Sequence, residues 1–310
     1  MMNTAFYLPA LVGIVFFGIF CVLILASLAG KYYERKQGFD VSNMVKEWNA
    51  RVASWWVITT LLLVTFWLGR GGMIALFVAA SFATLREFIS HVYRHRADHL
   101  TIALCFYILL PLQYYFVLTN WFSMFTILIP VYAFLLLPII SNMAGDNSQF
   151  FERTAKIQWG VMITVYCLSH VPALLSLEIK DYNSPNIVLL LFMLMVVQSG
   201  DVFAYLWRRA GSKIAPPRTL PSAYISVPLS TLLATCLYWI TPFTPFQAAL
   251  AGLMISLMGF FGNEVMRAIK RSLGIRHWGH AYSTRSVLDR LDSLCFAAPV
   301  FFHVVRYYWT

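Results

Sequence analysis

Asp289 and Asp292 stand three residues apart in VLDRLDSL, a spacing that puts both carboxylates on one face of a helix. Upstream, in GNEVMRAIKR, Arg267, Lys270 and Arg271 fall at i, i+3 and i+4 and share a face in the same way. Asp201, in MLMVVQSGDVFAYLWRR, lies near the end of an apolar run about two turns before Arg208 and Arg209. A cationic stripe beside carboxylates suits phosphate: the cations offset its charge and the acids can hold a divalent ion. Each feature also has a plain structural explanation. A basic stripe at a membrane boundary anchors the chain by snorkelling, and an acid in a first turn answers the helix dipole. Asp201 resists that treatment, because a carboxylate within an apolar span is costly unless paired. Arg86 and Glu87 in TLREF are as well explained by a boundary ion pair as by a site. His277 and His280 in HWGH have a metal-like spacing, but Gly279 interrupts it and the sequence fixes no third ligand. His91, His95 and His99, beside Arg94 and Arg96, read as an interfacial polar face.

These residues must be positioned by membrane spans. The chain has 310 residues, 60% hydrophobic and 12% charged, with a mean hydropathy of +0.69; a soluble domain carries about twice that charge. Apolar runs long enough to cross a bilayer recur throughout, at about 6–28, 54–69, 71–85, 101–119, 121–141, 159–178, 186–207, 223–241, 245–262 and 294–309. This predicts an all-α, polytopic transmembrane helical bundle of about ten spans, or nine by the shorter count. The second and third runs are short and broken by Arg70-Gly71-Gly72, as in a re-entrant pair. No internal repeat is apparent, and 1–310 reads as a single integral membrane domain. Within it, 1–185 holds the N-terminal spans with an amphipathic segment at KYYERKQGFDVSNMVKEWNARVASWW, and 186–310 is the C-terminal region that holds Asp201, the basic stripe and the Asp289/Asp292 pair. The N-terminal apolar run lacks a basic leader and cleavage signal and reads as a retained first span. The five cysteines are scattered singly in apolar segments and read as packing residues.

With the connections numbered alternately, the odd loops hold all of the 23 Lys and Arg except Arg70, Lys180 and Arg306. The positive-inside rule then places both termini on the non-cytoplasmic side and every polar cluster at the cytoplasmic face of a bacterial inner membrane. The net charge of +10 therefore meets anionic headgroups rather than nucleic acid.

At these residues the sequence becomes recognisable. GFFGNEVMRAIKRSLGIRHWGHAYSTRSVLDRLDSLCFAAPVFFHVVRYYW resembles the C-terminal signature of the phosphatidate cytidylyltransferases (CDP-diacylglycerol synthases), approximately G-D-x-x-x-S-x-x-K-R-x-x-G-x-K-D-x-G followed by P-G-H-G-G-x-L-D-R-x-D-S. LREF, GDNSQFFERTAKIQWGVMITVYCLSHVPALL and GDVFAYLWRRAGSKIAPPRTLP are similar to earlier blocks of a bacterial branch, so most of the chain is covered in order. The resemblance implies a reaction of phospholipid biosynthesis: CTP and phosphatidic acid give CDP-diacylglycerol and pyrophosphate. It also implies Mg²⁺ and a possible homodimer or hetero-complex. Catalytic roles would fall to Asp289, Asp292 and Asp201, phosphate or lipid binding to Lys270, Arg271, Arg267, Arg290 and Arg218, and a metal to Asp289.

The sequence departs from that signature where the chemistry is densest. The aspartate of G-D is Asn263, the serine is Arg267, the aspartate of K-D aligns with His277, the P-G-H-G-G turn is YSTRS, and an S-P-x-K-T loop has become PRTLPS. Weakened metal binding follows. Two functions are compatible with these changes: a nucleotidyltransferase with an altered site, or a catalytically silent relative that binds anionic lipid or nucleotide as a partner or regulator in a lipid-modification complex. A transporter would call for paired broken helices in two repeated halves, which are absent from the pattern.

Overall fold

The computed structural model describes residues 10–37, 42–92, 96–180, 182, 185–211, 220–275, 277–279 and 286–310. Ten helical segments follow in order: α1 Ala10–Gln37, α2 Asn43–Trp67, α3 Gly69–Val92, α4 Arg96–Leu118, α5 Phe122–Met143, α6 Phe150–Ser176, α7 Ile187–Gly211, α8 Leu220–Cys236, α9 Pro245–Ser272 and α10 Leu288–Trp309. No strand occurs among the described residues. Eight of the helices are long and apolar enough to cross a membrane. The two that fall outside that count are the shorter α8 and α10, whose first turns carry Asp289, Arg290 and Asp292. The second and third spans are full-length helices of 25 and 24 residues rather than a short re-entrant pair. At 1.5 Å per residue each exceeds the roughly 30 Å hydrocarbon core. Gly71 and Gly72 are absorbed into α3, and the break falls one residue earlier, at Gly69 with φ +73°.

The chain divides into two compact units, 1–76 and 77–310. In the first, α1 and α2 pair antiparallel through indoles that reach backbone and hydroxyl acceptors. Trp48 Nε1 donates to the Ala26 carbonyl at 3.1 Å and Trp56 Nε1 to Ser27 Oγ at 3.0 Å. Phe20 packs on Trp56 and Phe16 faces Phe66. The basic segment between the spans is helical over 31–37 and again from 43, so it extends α1 and begins α2.

The second unit is built around α10. Leu294, Cys295, Ala297, Ala298, Phe301, Phe302 and Val305 are fully buried, so α10 is covered on several faces, by α6, α7 and α9. Small residues let its neighbours approach closely, the usual device where lipid supplies no hydrophobic drive between helices. A Cβ on Gly262 of α9 would lie 2.8 Å from the Phe296 ring of α10, and one on Gly252 would lie 2.3 Å from the Ala234 Cβ of α8. Spans α4, α5 and α6 each contain one widened π-turn, at Cys105–Leu109, Leu128–Ala133 and Met162–Cys167. Pro111 and Pro130 lie beside or within the first two, where a missing N–H loosens the α-helical ladder. All five cysteines are free thiols.

Candidate functional site

Three helices of the second unit bring their polar ends together. On α7, Asp201 accepts from two neighbours: the Asn263 side-chain amide of α9 at 2.6 Å, on Oδ1, and the Ser293 hydroxyl of α10 at 2.6 Å, on Oδ2. Asp201 and Asn263 also line a narrow cleft between α7, α8 and α9. Gly200, Ser226, Ser230, Ser256 and Gly259 line its walls, with Arg267 at the same end as Asn263. Ser230 Oγ donates to Ser256 Oγ at 2.8 Å, so the serines cross-link α8 and α9 rather than stand open.

Two turns further along α9, Lys270 Nζ meets Asp289 Oδ1 of α10 at 2.6 Å, with the lysine side chain 12% and the aspartate 19% exposed. The other carboxylate oxygen, Oδ2, accepts the Trp278 backbone N–H at 3.1 Å. The turn after α9 delivers that N–H. Gly274 takes φ +69°, its N–H reaches the Arg271 carbonyl at 3.1 Å, and the Ile275 N–H reaches the Lys270 carbonyl at 3.0 Å. This is the Schellman arrangement, which needs a residue comfortable in the left-handed region and satisfies two orphan carbonyls. His277 Nδ1 stands 3.7 Å from Asp289 Oδ2 with its side chain 75% exposed.

The predicted stripe does not act as one face. Arg267 turns to Glu264, 2.5 Å away, and its Nε donates to the Asn263 carbonyl at 3.2 Å. Lys270 turns to α10, while Arg271 is exposed. Asp292 is buried, 8% exposed, and accepts the adjacent Ser293 N–H at 2.9 Å; Arg290 is half-buried on the same helix. Arg218, Arg94, His95, His280, the first four residues of YSTRS and the first three of PRTLPS lie outside the described residues. His91, expected on an interfacial polar face, packs edge-on against the buried Trp278 ring at 5.8 Å.

Several contributors were missed or undervalued in the sequence. Glu87 accepts from Ser286 Oγ at 2.7 Å and from the Val287 and Leu288 N–H groups at 3.0 and 2.9 Å, at the start of α10. Its partners lie about 200 residues away, so no local pattern announces them. The cleft serines carry no motif either. Ser286 was legible: Ser-x-x-Asp before an apolar run is a helix-start pattern, and its Oγ accepts the Asp289 N–H at 3.1 Å. A second ionic cluster at this end is structural. Arg153 is 7% exposed and binds Asp98 through Nε and Nη2, while its Nη1 donates to the Asp146 and Ser148 carbonyls. Its guanidinium is committed to the protein.

A resident Mg²⁺ would need near-octahedral oxygen ligands, in the usual case one or two carboxylates with substrate phosphates. Both oxygens of Asp201 and both of Asp289 already accept from protein donors. No group of three or more His, Cys, Asp or Glu suited to a metal occurs among the described residues. The residues as arranged do not fit a protein-held Mg²⁺.

The chain belongs to the Cytidylyltransferase family, whose sequence model matches residues 49–308. It is 33% identical over 304 residues to the Escherichia coli (strain K12) protein named Uncharacterized protein YnbB, covering 93% of this chain and 96% of that one. It is 23% identical over 164 residues to the phosphatidate cytidylyltransferase of Aquifex aeolicus, spanning 52% of this chain and 59% of the relative. With that of Helicobacter pylori (strain J99) the identity is 31% over 136 residues, spanning 42% and 50%. The family typically uses Mg²⁺, which sharpens the contrast with the donor set found here. The chain is an integral membrane protein of that family.

Proposed function

We propose that this chain carries out the reaction named for its curated relatives, joining CTP and phosphatidic acid into CDP-diacylglycerol and pyrophosphate. The observation that carries it is the meeting of α7, α9 and α10 at Asp201, Ser293, Lys270 and Asp289, next to Arg267 and Arg271. A phosphate oxygen of the lipid attacks the α-phosphorus of the nucleotide; the bond to the bridging oxygen breaks, and its electron pair leaves with pyrophosphate. Negative charge gathers on the departing oxygens, where a preplaced ammonium or guanidinium is most effective. In this reading Lys270 exchanges Asp289 for pyrophosphate oxygens, Arg267 and Arg271 hold the remaining phosphates, and Asp201 and Ser293 orient the lipid headgroup. The distribution of Lys and Arg among the loops supports a cytoplasmic site in a bacterial inner membrane. A homodimer and the roles of Asp292, Arg290 and Arg218 belong to the same proposal, with 1–310 acting as one membrane domain.

A second reading is favoured by one observation: Asn263 and Lys270 already donate to the carboxylates that a metal ion would otherwise approach. The chain would then bind anionic lipid or nucleotide phosphate without turnover, as a partner in a lipid-modification complex. Pyrophosphate release from CTP and phosphatidic acid by the purified protein, beside Asp289→Ala, separates the two. Release cut sharply by the substitution, to a rate still measurable, supports the enzyme. No release by either protein, with phosphatidic acid vesicles still bound in EDTA, supports the silent relative.

A further inference from the structure

Two adjacent residues of α3 reach Asp289 by separate routes. Glu87 receives the start of α10: both its carboxylate oxygens accept backbone N–H groups, and Oε2 also accepts the Ser286 hydroxyl, whose oxygen in turn takes the Asp289 N–H. Phe88, 1% exposed, stacks on the fully buried Trp278 ring with centroids 5.0 Å apart and planes 26° from parallel. Trp278 donates its backbone N–H to the Asp289 side chain. Phe88 is itself seated against α6, where a Cβ on Gly160 would lie 2.7 Å from its ring. The backbone of Asp289 is thus referenced to α3 through Glu87 and Ser286, and its carboxylate through Phe88 and Trp278. A helix start needs far less, since Ser286 caps the first turn without help. Bringing a carboxylate from an element about 200 residues away adds a desolvation cost, which the helix dipole and charge-assisted bonds offset.

We propose that Glu87 and Phe88 are positioning residues for Asp289, holding it so that Oδ1 faces Lys270 at 2.6 Å. That Asp289 serves catalysis rests on the function proposed above; that α3 sets its place does not. The test uses the full chain in lipid nanodiscs, as wild type, Glu87→Gln, Glu87→Asp and Phe88→Leu. Hydrogen exchange at 275–279 and 286–293 is followed against α7 to α9, beside kcat and KM for pyrophosphate release. Glu87→Gln should speed exchange in both segments by about tenfold and leave the other helices unchanged, as expected for losing a charged acceptor. Phe88→Leu should do the same, and Glu87→Asp should fall between Gln and wild type. In the active protein kcat should drop about tenfold with KM for CTP nearly constant, the pattern of a misplaced group rather than lost binding. Glu87→Gln should add little to Asp289→Ala. Exchange that rises only at 286–288, or evenly along the whole chain, overturns the proposal. So does a kcat loss that simply adds to that of Asp289→Ala. If wild type releases no pyrophosphate the proposed reaction fails, and the exchange experiment still decides the positioning.

Discussion

Asn263 gives its side-chain amide to Asp201 across 2.6 Å, so a neutral donor stands where a cation could otherwise sit against that carboxylate. Replacing Asn263 with Asp sets two carboxylates within hydrogen-bond distance, and like charges that close cannot both ionise cheaply. We expect Asn263→Asp to be less stable than wild type in EDTA, by about 1–3 kcal/mol, with a lower melting temperature that recovers when Mg²⁺ is added. Wild type should melt at the same temperature with and without the ion. A wild-type melting temperature that climbs with Mg²⁺ would show that Asp201 yields readily to a metal.

Lys270 and Asp289 form a second pair, buried enough that removing one partner strands the other. Lys270→Ala should destabilise the protein by about 2–4 kcal/mol, near the lower end for broken buried pairs because some solvent reaches both groups. Removing both in Lys270→Ala/Asp289→Ala should cost less than the two single losses combined, and calorimetric unfolding of the four proteins gives that coupling directly. Lys270→Ala should also weaken pyrophosphate binding, whereas Asp289→Ala should leave it equal or stronger.

Arg153 distributes its guanidinium over Asp98 and two carbonyls. Arg153→Met leaves Asp98, itself 3% exposed, as an uncompensated charge, at a cost of about 3–5 kcal/mol. Arg153→Met/Asp98→Leu should regain much of that stability. Equal melting temperatures for Arg153→Met and wild type would contradict the commitment of this arginine to the fold.

Gly262 allows the Phe296 ring against α9. Gly262→Ala should cost about 1–3 kcal/mol as an overpacked contact, and Gly262→Ala/Phe296→Leu should recover part of it. Because Asn263 is the next residue, Gly262→Ala should also lengthen the contact to Asp201, visible as faster hydrogen exchange near 200–204.

Much of the bundle was legible because membrane spans announce themselves by length: ten apolar runs became ten helices. Their ends were not, since α1 runs on to Gln37 and α2 starts at Asn43, well beyond the apolar stretches. Polar residues continue a helix freely once it leaves the hydrocarbon, so hydropathy marks the membrane and not the helix. At the site, spacing and place in the apolar pattern singled out Asp201, Lys270 and Asp289, and the resemblance to the family signature singled out Asn263; three-dimensional pairing then sorted the stripe into different partners. Glu87 was undervalued because its adjacent Arg86 supplied a cheap local explanation, while its bonds run to residues 286–288. Nothing short-range distinguishes a carboxylate that receives another helix from one that rests at an interface.

Each widened turn in α4, α5 and α6 takes in extra backbone without ending its span. Such a segment is a reservoir of chain length. Deleting one residue from Met162–Cys167 can be met by tightening that turn to an ordinary spiral, leaving Gly160 and Arg153 in register with their partners. The same deletion in α9 would rotate everything beyond it by about 100° and swing Lys270 away from Asp289. Tolerance to single-residue deletion should therefore differ sharply between these spans and α7, α9 and α10, which carry Asp201, Lys270 and Asp289.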